Sequence, residues 1–416
     1  MFRKLMTFEE AQRAIASQFK PPALGEEEAV LLEAYNRVLS EDVVSALDIP
    51  PFSRSTMDGY AVKAEDTFGA DENQPAILKV AGVVSVGEQP QVKVGKSEAV
   101  EIVTGAPIPD GADAVVMIED TEREDSELHV FSPVTPNENI MKRGSDIKMG
   151  ESVLKKGQLL GSSEIGVLAA LGLTKVKVSK VPMVAVLSTG GEVTEPGKPL
   201  PPGKIYDINA YSISTAVVES GGKPVYFGVV TDDKEALSKA LHAALASADM
   251  VITSGGVSVG PRDYTPQIVD SLGKPGIVVY GIAVKPGKPT TVGFVGDKPV
   301  FSLPGHPTSA LLIFYLLARP LIQQLAGRPV AAMKTVRAAA GSRMFSAKGR
   351  RTFVMVRLMF DKSCRLIAEP VESGASGAIT TLAKADGFVE IPENEQFVDA
   401  DEDVAVFLFR SVPGKA

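Results

Sequence analysis

The stretch Met250-Val251-Ile252-Thr253-Ser254-Gly255-Gly256-Val257-Ser258-Val259-Gly260, followed by Asp263-Tyr264, decides the fold. Its first four residues make a buried strand, the serine and glycines end it, and Asp263-Tyr264 opens the next helix. Working outward over 181–328, β runs at 184–187, 225–230, 250–253 and 277–280 alternate with helical patterns at 207–220, 234–248, 264–272 and 309–325. That alternation predicts βαβ crossovers and a largely parallel sheet covered on both faces.

The flanks read differently. Between 7 and 45 the apolar residues Phe8, Ala11, Ile15 and then Ala29, Leu32, Val38 and Leu39 fall at helical spacing, predicting two helices joined by Lys20-Pro21-Pro22. Residues 50–140 are punctuated by Pro and Gly between short β-branched runs, as in a small β domain, and 141–180 returns to mixed structure around a helix near 162–171. The fold class expected is multidomain α/β plus β. It has a helical or mixed domain (1–50 and 141–180), an inserted β domain (51–140), a central three-layer α/β domain (181–328) and a C-terminal β barrel (329–416).

Composition agrees with several cores: 416 residues, 44% apolar and 23% charged. A net charge of −8 argues against wholesale nucleic-acid binding. Residues 181–328 carry 12 Lys+Arg against 11 Asp+Glu, net +1, leaving −9 elsewhere, so the α/β segment is the least repulsive host for an anion. One cysteine, Cys364, and three scattered histidines (His129, His242, His306) make neither a disulfide nor a thiolate or His-rich metal site, so an oxygen-bound metal is expected. Met1-Phe2-Arg3-Lys4 opens no apolar signal core, and the longest apolar run, 310–318, is half a bilayer's thickness. The expected setting is a reducing cytoplasm, with no membrane and no nucleic acid as partners.

Four loops follow predicted strands of the α/β segment: Ser188-Thr189-Gly190-Gly191-Glu192, the 254–260 stretch, Lys285-Pro286-Gly287-Lys288-Pro289, and Leu303-Pro304-Gly305-His306-Pro307-Thr308-Ser309-Ala310. Ligands of open α/β sheets collect at such strand ends, and glycines there let backbone amides cradle phosphate. A single Gly-Gly turn is ordinarily structural; four such loops in one unit favour a phosphorylated ligand. No Gly-x-Gly-x-x-Gly follows the first strand and no Gly-Lys-Ser/Thr follows a glycine loop, so dinucleotide and Walker-type readings lose their support. Glu192, Asp232, Asp233 and Asp263 lie at strand ends, where two of them would hold Mg²⁺ beside phosphates or would only cap helices. Outside this segment, Pro50-Pro51-Phe52-Ser53-Arg54-Ser55-Thr56-Met57-Asp58-Gly59-Tyr60-Ala61-Val62, Thr104-Gly105-Ala106-Pro107-Ile108-Pro109 and Arg143-Gly144-Ser145-Asp146 are denser in special residues than plain turns require.

Together these stretches resemble the molybdopterin molybdenumtransferase (molybdenum insertase) family, to which the E domain of gephyrin also belongs. The similarity runs from about residue 8 to 409, strongest in the PPFxxSxMDGYA-like stretch 51–62. It continues through TGAPxP at 104–109, SGGVSxGxxDY at 254–264, KPGKP at 285–289 and LPGxPxSA at 303–310. The resemblance implies an elongated homodimer with a shared active site, in which adenylylated molybdopterin and molybdate are substrates, Mg²⁺ is the cofactor and AMP leaves. It also implies contact with the molybdopterin adenylyltransferase.

Residue by residue, the resemblance implies that Thr189, Gly190, Ser254, Gly255, Gly256, Asp263, Pro304, Gly305 and Ser376 bind substrate and that Asp232 and Asp263 hold the metal. Lys285 and Lys288 would face phosphate or molybdate, Asp146 and Glu192 line the cleft, and Asp58 and Thr104 reach in from the partner subunit.

Departures accompany it. Gly191 replaces a polar residue, while Met141, Gly281 and Met355 stand where many members have a basic one; Gly281-Ile282-Ala283-Val284-Lys285 resembles the archaeal-type branch. Arg350, Arg351 or Arg357 would have to compensate, or oxyanion binding would weaken or shift toward tungstate. A non-catalytic pterin-binding or scaffolding homologue and an adenylyltransferase are the alternative readings.

Overall fold

A computed structural model describes residues 5–256, 264–330, 332–371 and 379–409, which divide into two compact units. One comprises Ala29–Tyr35 and Leu39–Val176; the other comprises the described parts of Met1–Glu28, Asn36–Val38 and Lys177–Ala416.

Helix α1 (Phe8–Gln18) starts with a capping box in which Thr7 and Glu10 satisfy each other's backbone N–H. Its buried residues Phe8, Ala11 and Ile15 join the main core of the second unit. The second expected helix does not form: Glu26–Val30 is a strand and Leu31–Ala34 a single turn. The apolar spacing there is no core-facing stripe, since Leu32 is 87% exposed.

The first unit contains strands β1 (Gly59–Val62), β2 (Ala76–Val84), β3 (Glu98–Ile102), β4 (Ala114–Met117), β5 (Thr121–Glu124) and β6 (Glu127–Val130). They form one curled sheet in the order β4-β1-β3-β2-β6-β5, with β2 and β3 parallel and the other neighbours antiparallel. Tyr60, Val62 and Val116 pack on one face, Ala61, Val115 and Ile102 on the other. Burial on both faces is why these strands read as apolar runs without clean alternation. Gly59 is required where β1 meets β4, because a Cβ there would lie 1.9 Å from the Val116 carbonyl oxygen. Short strand pairs, Val43–Val44 with Ser152–Leu154 and Arg54–Ser55 with Ile140–Met141, and helix α2 (Ser162–Ala170) also belong to this unit.

In the second unit the chain runs β7 (Met183–Thr189), α3 (Asn209–Glu219), β8 (Lys223–Val230), α4 (Lys234–Ser247), β9 (Met250–Ser254), α5 (Thr265–Leu272), β10 (Pro275–Tyr280), β11 (Val284–Lys285), β12 (Thr291–Val295) and β13 (Lys298–Leu303). The helical run Pro307–Leu325 follows, as α6 (Pro307–Ile313), a π-helical turn at Phe314–Ala318 and α7 (Arg319–Leu325). The sheet order is β8-β7-β9-β13-β12-β10; the first four strands are parallel, the last two antiparallel additions. Helices α1, α3, α6 and α7 cover one face, α4 and α5 the other, giving three layers. From β7 the chain crosses to β8 on one side and then to β9 on the other. This reversal creates a crevice at the C-terminal ends of β7 and β9, the switch point at which open α/β sheets bind ligands.

The run Pro307–Leu325 is, by length and mean hydropathy, apolar enough to cross a membrane, longer than the 310–318 stretch suggests. Two thirds of it is buried, and Leu312, Ile313, Phe314 and Ile322 lie in the core. Its apolar surface is spent on the sheet.

Strands β14 (Thr335–Ala340), β15 (Arg351–Phe360), β16 (Leu366–Pro370), β17 (Gly387–Ile391) and β18 (Asp403–Leu408) form a closed barrel in the order β15-β16-β14-β18-β17, shut by β17 pairing with β15; β11 joins β15 from outside. Ala338, Val356, Leu358 and Val406 form the barrel's own core, while Phe353, Met355 and Phe388 belong to the α/β core. The chain therefore has the expected multidomain class, with a central three-layer α/β part and a C-terminal barrel.

Candidate functional site

At the switch point lies a cavity of about 750 Å³ lined by residues of the second unit. Ser188 and Thr189, at the end of β7, enter it beside Ser254, at the end of β9; Ser188 and Ser254 are register partners, and Ser254 pairs with Leu303. All three hydroxyl-bearing residues are at most 3% exposed. The Ser188 and Thr189 hydroxyls have no hydrogen-bond partner among the described residues. Buried polar atoms without partners are costly in a finished structure, so an unpartnered pair carried by residues that line a cavity points to a polar ligand.

The glycine loops owe their composition to this geometry. Gly255 has φ +89°, and a Cβ there would lie 2.2 Å from the Thr189 carbonyl oxygen; Gly256 has φ +67°, with the Thr189 hydroxyl 2.6 Å from its would-be Cβ. The loop after β9 thus passes across the end of β7 at a distance only glycine permits. Gly305 differs: its nearest obstacle is Gly255 Cα at 3.6 Å, ordinary contact distance.

Of the residues expected here, Thr189, Glu192, Ser254 and Gly305 line the cavity. Gly190, Gly255, Gly256 and Pro304 belong to the turns that carry them. The Asp232-Asp233 pair divides by role: Asp233 caps α4, accepting from the Glu235 and Ala236 amides at 3.1 and 2.8 Å. Asp232 instead accepts from the Gly191 amide at 3.3 Å, beside Glu192. Lys285 ends β11, paired with Thr352 of β15, and Lys288 lies in the following turn; both are exposed, and neither lines the cavity. Asp263 and Ser376 fall outside the described residues, as does 257–260 of the second glycine loop. Among the described residues no group of three or more His, Cys, Asp or Glu side chains is placed to hold a metal ion.

Sequence reasoning missed Lys204, Asp207 and Asn209, which also line the cavity. Asp207 is 4% exposed; its carboxylate accepts from the Ala210 amide at 3.0 Å, at the start of α3, and from the Tyr226 hydroxyl at 3.1 Å. Burial, then the Asp207 charge, pushes the Tyr226 phenol well above its usual range. The Asp-x-Asn triplet opening a helix was the available signal, hidden because such residues are ordinary helix starts.

In the first unit the three unusual loops converge. Thr104 donates to Asp58 Oδ1 through its amide (2.6 Å) and its hydroxyl (2.8 Å), and these bonds hold the Asp58 carboxyl below the usual range. The Ser55 amide donates to the Ala106 carbonyl, and Gly105 returns a bond to the Ser55 carbonyl. Arg143 reaches Asp48 at 2.7 Å, the Arg143 amide donates to Ser53 Oγ at 3.1 Å, and the amide of the exposed Asp146 donates to the Ile49 carbonyl.

The departures acquire physical causes. Met355 is 6% exposed in the core, register partner of Phe388, where a cation would be stranded. Gly281 has φ +77° and Leu5 2.8 Å from its would-be Cβ, so no basic side chain fits without strain. Met141 pairs with Arg54, whose guanidinium reaches the sulfur at 3.4 Å. Arg351 does not supply a spare cation: it is engaged by Glu9, Glu390 and Glu393.

Comparison with known proteins agrees with this architecture throughout. Residues 6–172 match the MoeA N-terminal region (domains I and II), 185–324 the probable molybdopterin binding domain, and 337–409 the MoeA C-terminal region (domain IV). The crystal structure of a molybdopterin biosynthesis MoeA protein from Pyrococcus horikoshii superposes with a TM-score of 0.82 at 43% identity, covering 98% of this chain and 100% of that one. The molybdopterin molybdenumtransferase of Haemophilus influenzae is 34% identical over 99% of this chain and 100% of its own length. That of Nostoc sp. is 34% identical over 90% and 87%. The chain belongs to the MoeA family of molybdopterin molybdenumtransferases, enzymes of molybdenum cofactor biosynthesis.

Proposed function

We propose that this chain takes adenylylated molybdopterin and molybdate as substrates, cleaves the phosphoanhydride by hydrolysis, releases AMP and leaves molybdenum on the dithiolene sulfurs. The observation that carries the reading is the switch-point cavity with buried, unpartnered hydroxyls at Ser188 and Thr189. Hydroxyls donate to phosphate oxygens, and the glycine turns bring backbone amides within reach of the same anion. Lys204 adds positive charge to the cavity wall, and Val193, Leu200 and Ile208 supply apolar surface for a ring system.

Mg²⁺ takes oxygen ligands and keeps several waters, so one or two carboxylates with substrate phosphates are enough. Asp232 offers an exposed carboxylate held by the Gly191 amide beside Glu192, and the residues present therefore fit the ion. Asp263 is the second ligand in this reading. When bound, the ion supplies charge neutralisation at the phosphates. The Thr104 amide and hydroxyl fix the Asp58 carboxylate and hold its pKa below the usual range, and in this reading it serves, with Thr104 and Asp146, the cavity of a second subunit in a homodimer.

Purified protein mixed with adenylylated molybdopterin, Mg²⁺ and molybdate is expected to release AMP and yield active cofactor. Binding of the pterin without AMP release would support the non-catalytic reading instead; neither binding nor release would end both.

A further inference from the structure

We infer that Asn209 is a positioning residue that sets the spacing between the two glycine loops on which phosphate binding rests. It stands at the first turn of α3, lines the cavity and is 8% exposed. Its side-chain amide spends both hydrogens: Nδ2 donates to Ser254 Oγ at 2.6 Å and to the Gly305 carbonyl at 2.8 Å. One planar group thereby ties the end of β9 to the turn after β13. The Gly305 carbonyl can only accept, which fixes the orientation of the amide and turns Oδ1 away from it. Oδ1 is buried and has no partner among the described residues.

The neighbouring bonds make Asn209 the keystone of this corner. Asp207, two residues earlier, anchors the start of α3 through the Ala210 amide, so the Asn209 backbone is held independently of the ligand. Beyond Ser254, the two loops meet through the Gly255 amide, which donates to the Leu303 carbonyl at 3.2 Å, and a long contact from Ser254 Oγ to the Pro304 carbonyl at 3.5 Å. Without Asn209 the Gly305 carbonyl loses this donor, and the link between the loops falls back on the Gly255 amide and the long Ser254 contact. Oriented donors are effective only when held in place before the ligand arrives. Asn209 therefore acts on phosphate affinity through Ser254 and Gly305.

The inference rests on the phosphate-binding reading above, and its test separates the two. Asn209→Ala and Asn209→Ser are compared with the wild-type full chain, the serine keeping one short donor. Hydrogen exchange of peptides covering 250–256 and 303–307 is measured without ligand, and molybdopterin affinity by titration. Asn209→Ala is expected to speed exchange in both peptides at least tenfold and to weaken molybdopterin about tenfold, equivalent to about 1.4 kcal/mol. KM should rise more than kcat falls, and Asn209→Ser should recover part of the loss. Unchanged exchange in both peptides overturns the inference whatever the ligand does. Faster exchange with unchanged molybdopterin affinity also overturns it, since the tie would then be structural alone. If the wild type binds no molybdopterin but exchange rises in the variant, the tie stands and the substrate reading fails. Should Asn209→Ala not fold, Asn209→Ser alone must show the same changes in smaller measure; its matching the wild type would refute the inference.

Discussion

Replacing Gly255 by alanine tests whether the glycine loop is shaped by close approach to β7. An L-residue at φ +89° costs about 1–2 kcal/mol by itself. The added Cβ would also lie 2.2 Å from the Thr189 carbonyl oxygen, a backbone atom that cannot rotate aside, so the loop or the strand end must move. A total loss of about 2–4 kcal/mol is expected, which for a unit of this size lowers the midpoint of its thermal transition by roughly 4–7 °C. Gly305→Ala is the control: its Cβ meets only Gly255 Cα at 3.6 Å, so stability should change by less than about 0.5 kcal/mol. Gly305 nevertheless lines the cavity, so its variant should weaken molybdopterin binding. Calorimetry and ligand titration on both variants decide the matter. Equal stability of Gly255→Ala and wild type would refute the reasoning, because neither the backbone angle nor the clash would then exist.

Met355→Arg should destabilise the protein by about 3 kcal/mol or more in urea unfolding without improving molybdate binding, because it buries a cation beside Phe388. Asp58, its carboxyl held down by the Thr104 amide and then the hydroxyl, should remain ionised as pH falls to the ordinary carboxylate value, its contribution to stability being lost only below that. Thr104→Val should move its carboxyl titration, followed by NMR, back toward the ordinary value. Arg351→Ala strands the half-buried Glu390, whose pKa burial already raises, so the variant's stability should climb as pH falls and fall as pH rises through that raised pKa, as measured by urea midpoints. Calorimetric titration with molybdate and tungstate should give affinities within about a hundredfold, near 2.7 kcal/mol, since the two anions share charge and nearly share size.

Much of the central unit was legible because βαβ alternation follows burial. Strands β7 and β9 are covered on both faces and read as apolar runs, and α4 carries its own cap at Asp233. The hairpin β12–β13 was missed because its turn, Gly296-Asp297, interrupts two short runs that neither alternate nor stand apart from the loops around them. The supposed second N-terminal helix failed for the opposite reason: its spacing was helical, but Ala29, Val38 and Leu39 are buried from outside any helix and Leu32 is exposed. At the site, Ser254 and Thr189 were visible through the glycines beside them. Asp207 and Asn209 were not, since their importance lies in which distant residues they touch, Tyr226 within β8 for one and the end of β9 and the turn after β13 for the other. In sequence the absent cations at Met355 and Gly281 left weaker oxyanion binding, a changed preference and compensation by arginine all open, whereas packing and backbone angle account for the residues themselves.

The central claim is that the crevice at the ends of β7 and β9 receives the phosphate-bearing end of molybdopterin. A crystal structure of this chain with molybdopterin bound tests it most directly. Phosphate oxygens are expected within about 3 Å of the Ser188 and Thr189 hydroxyls and of glycine-loop amides, the distance of a charge-assisted hydrogen bond. A pterin bound elsewhere on the chain, with those two hydroxyls still unpartnered, would contradict it.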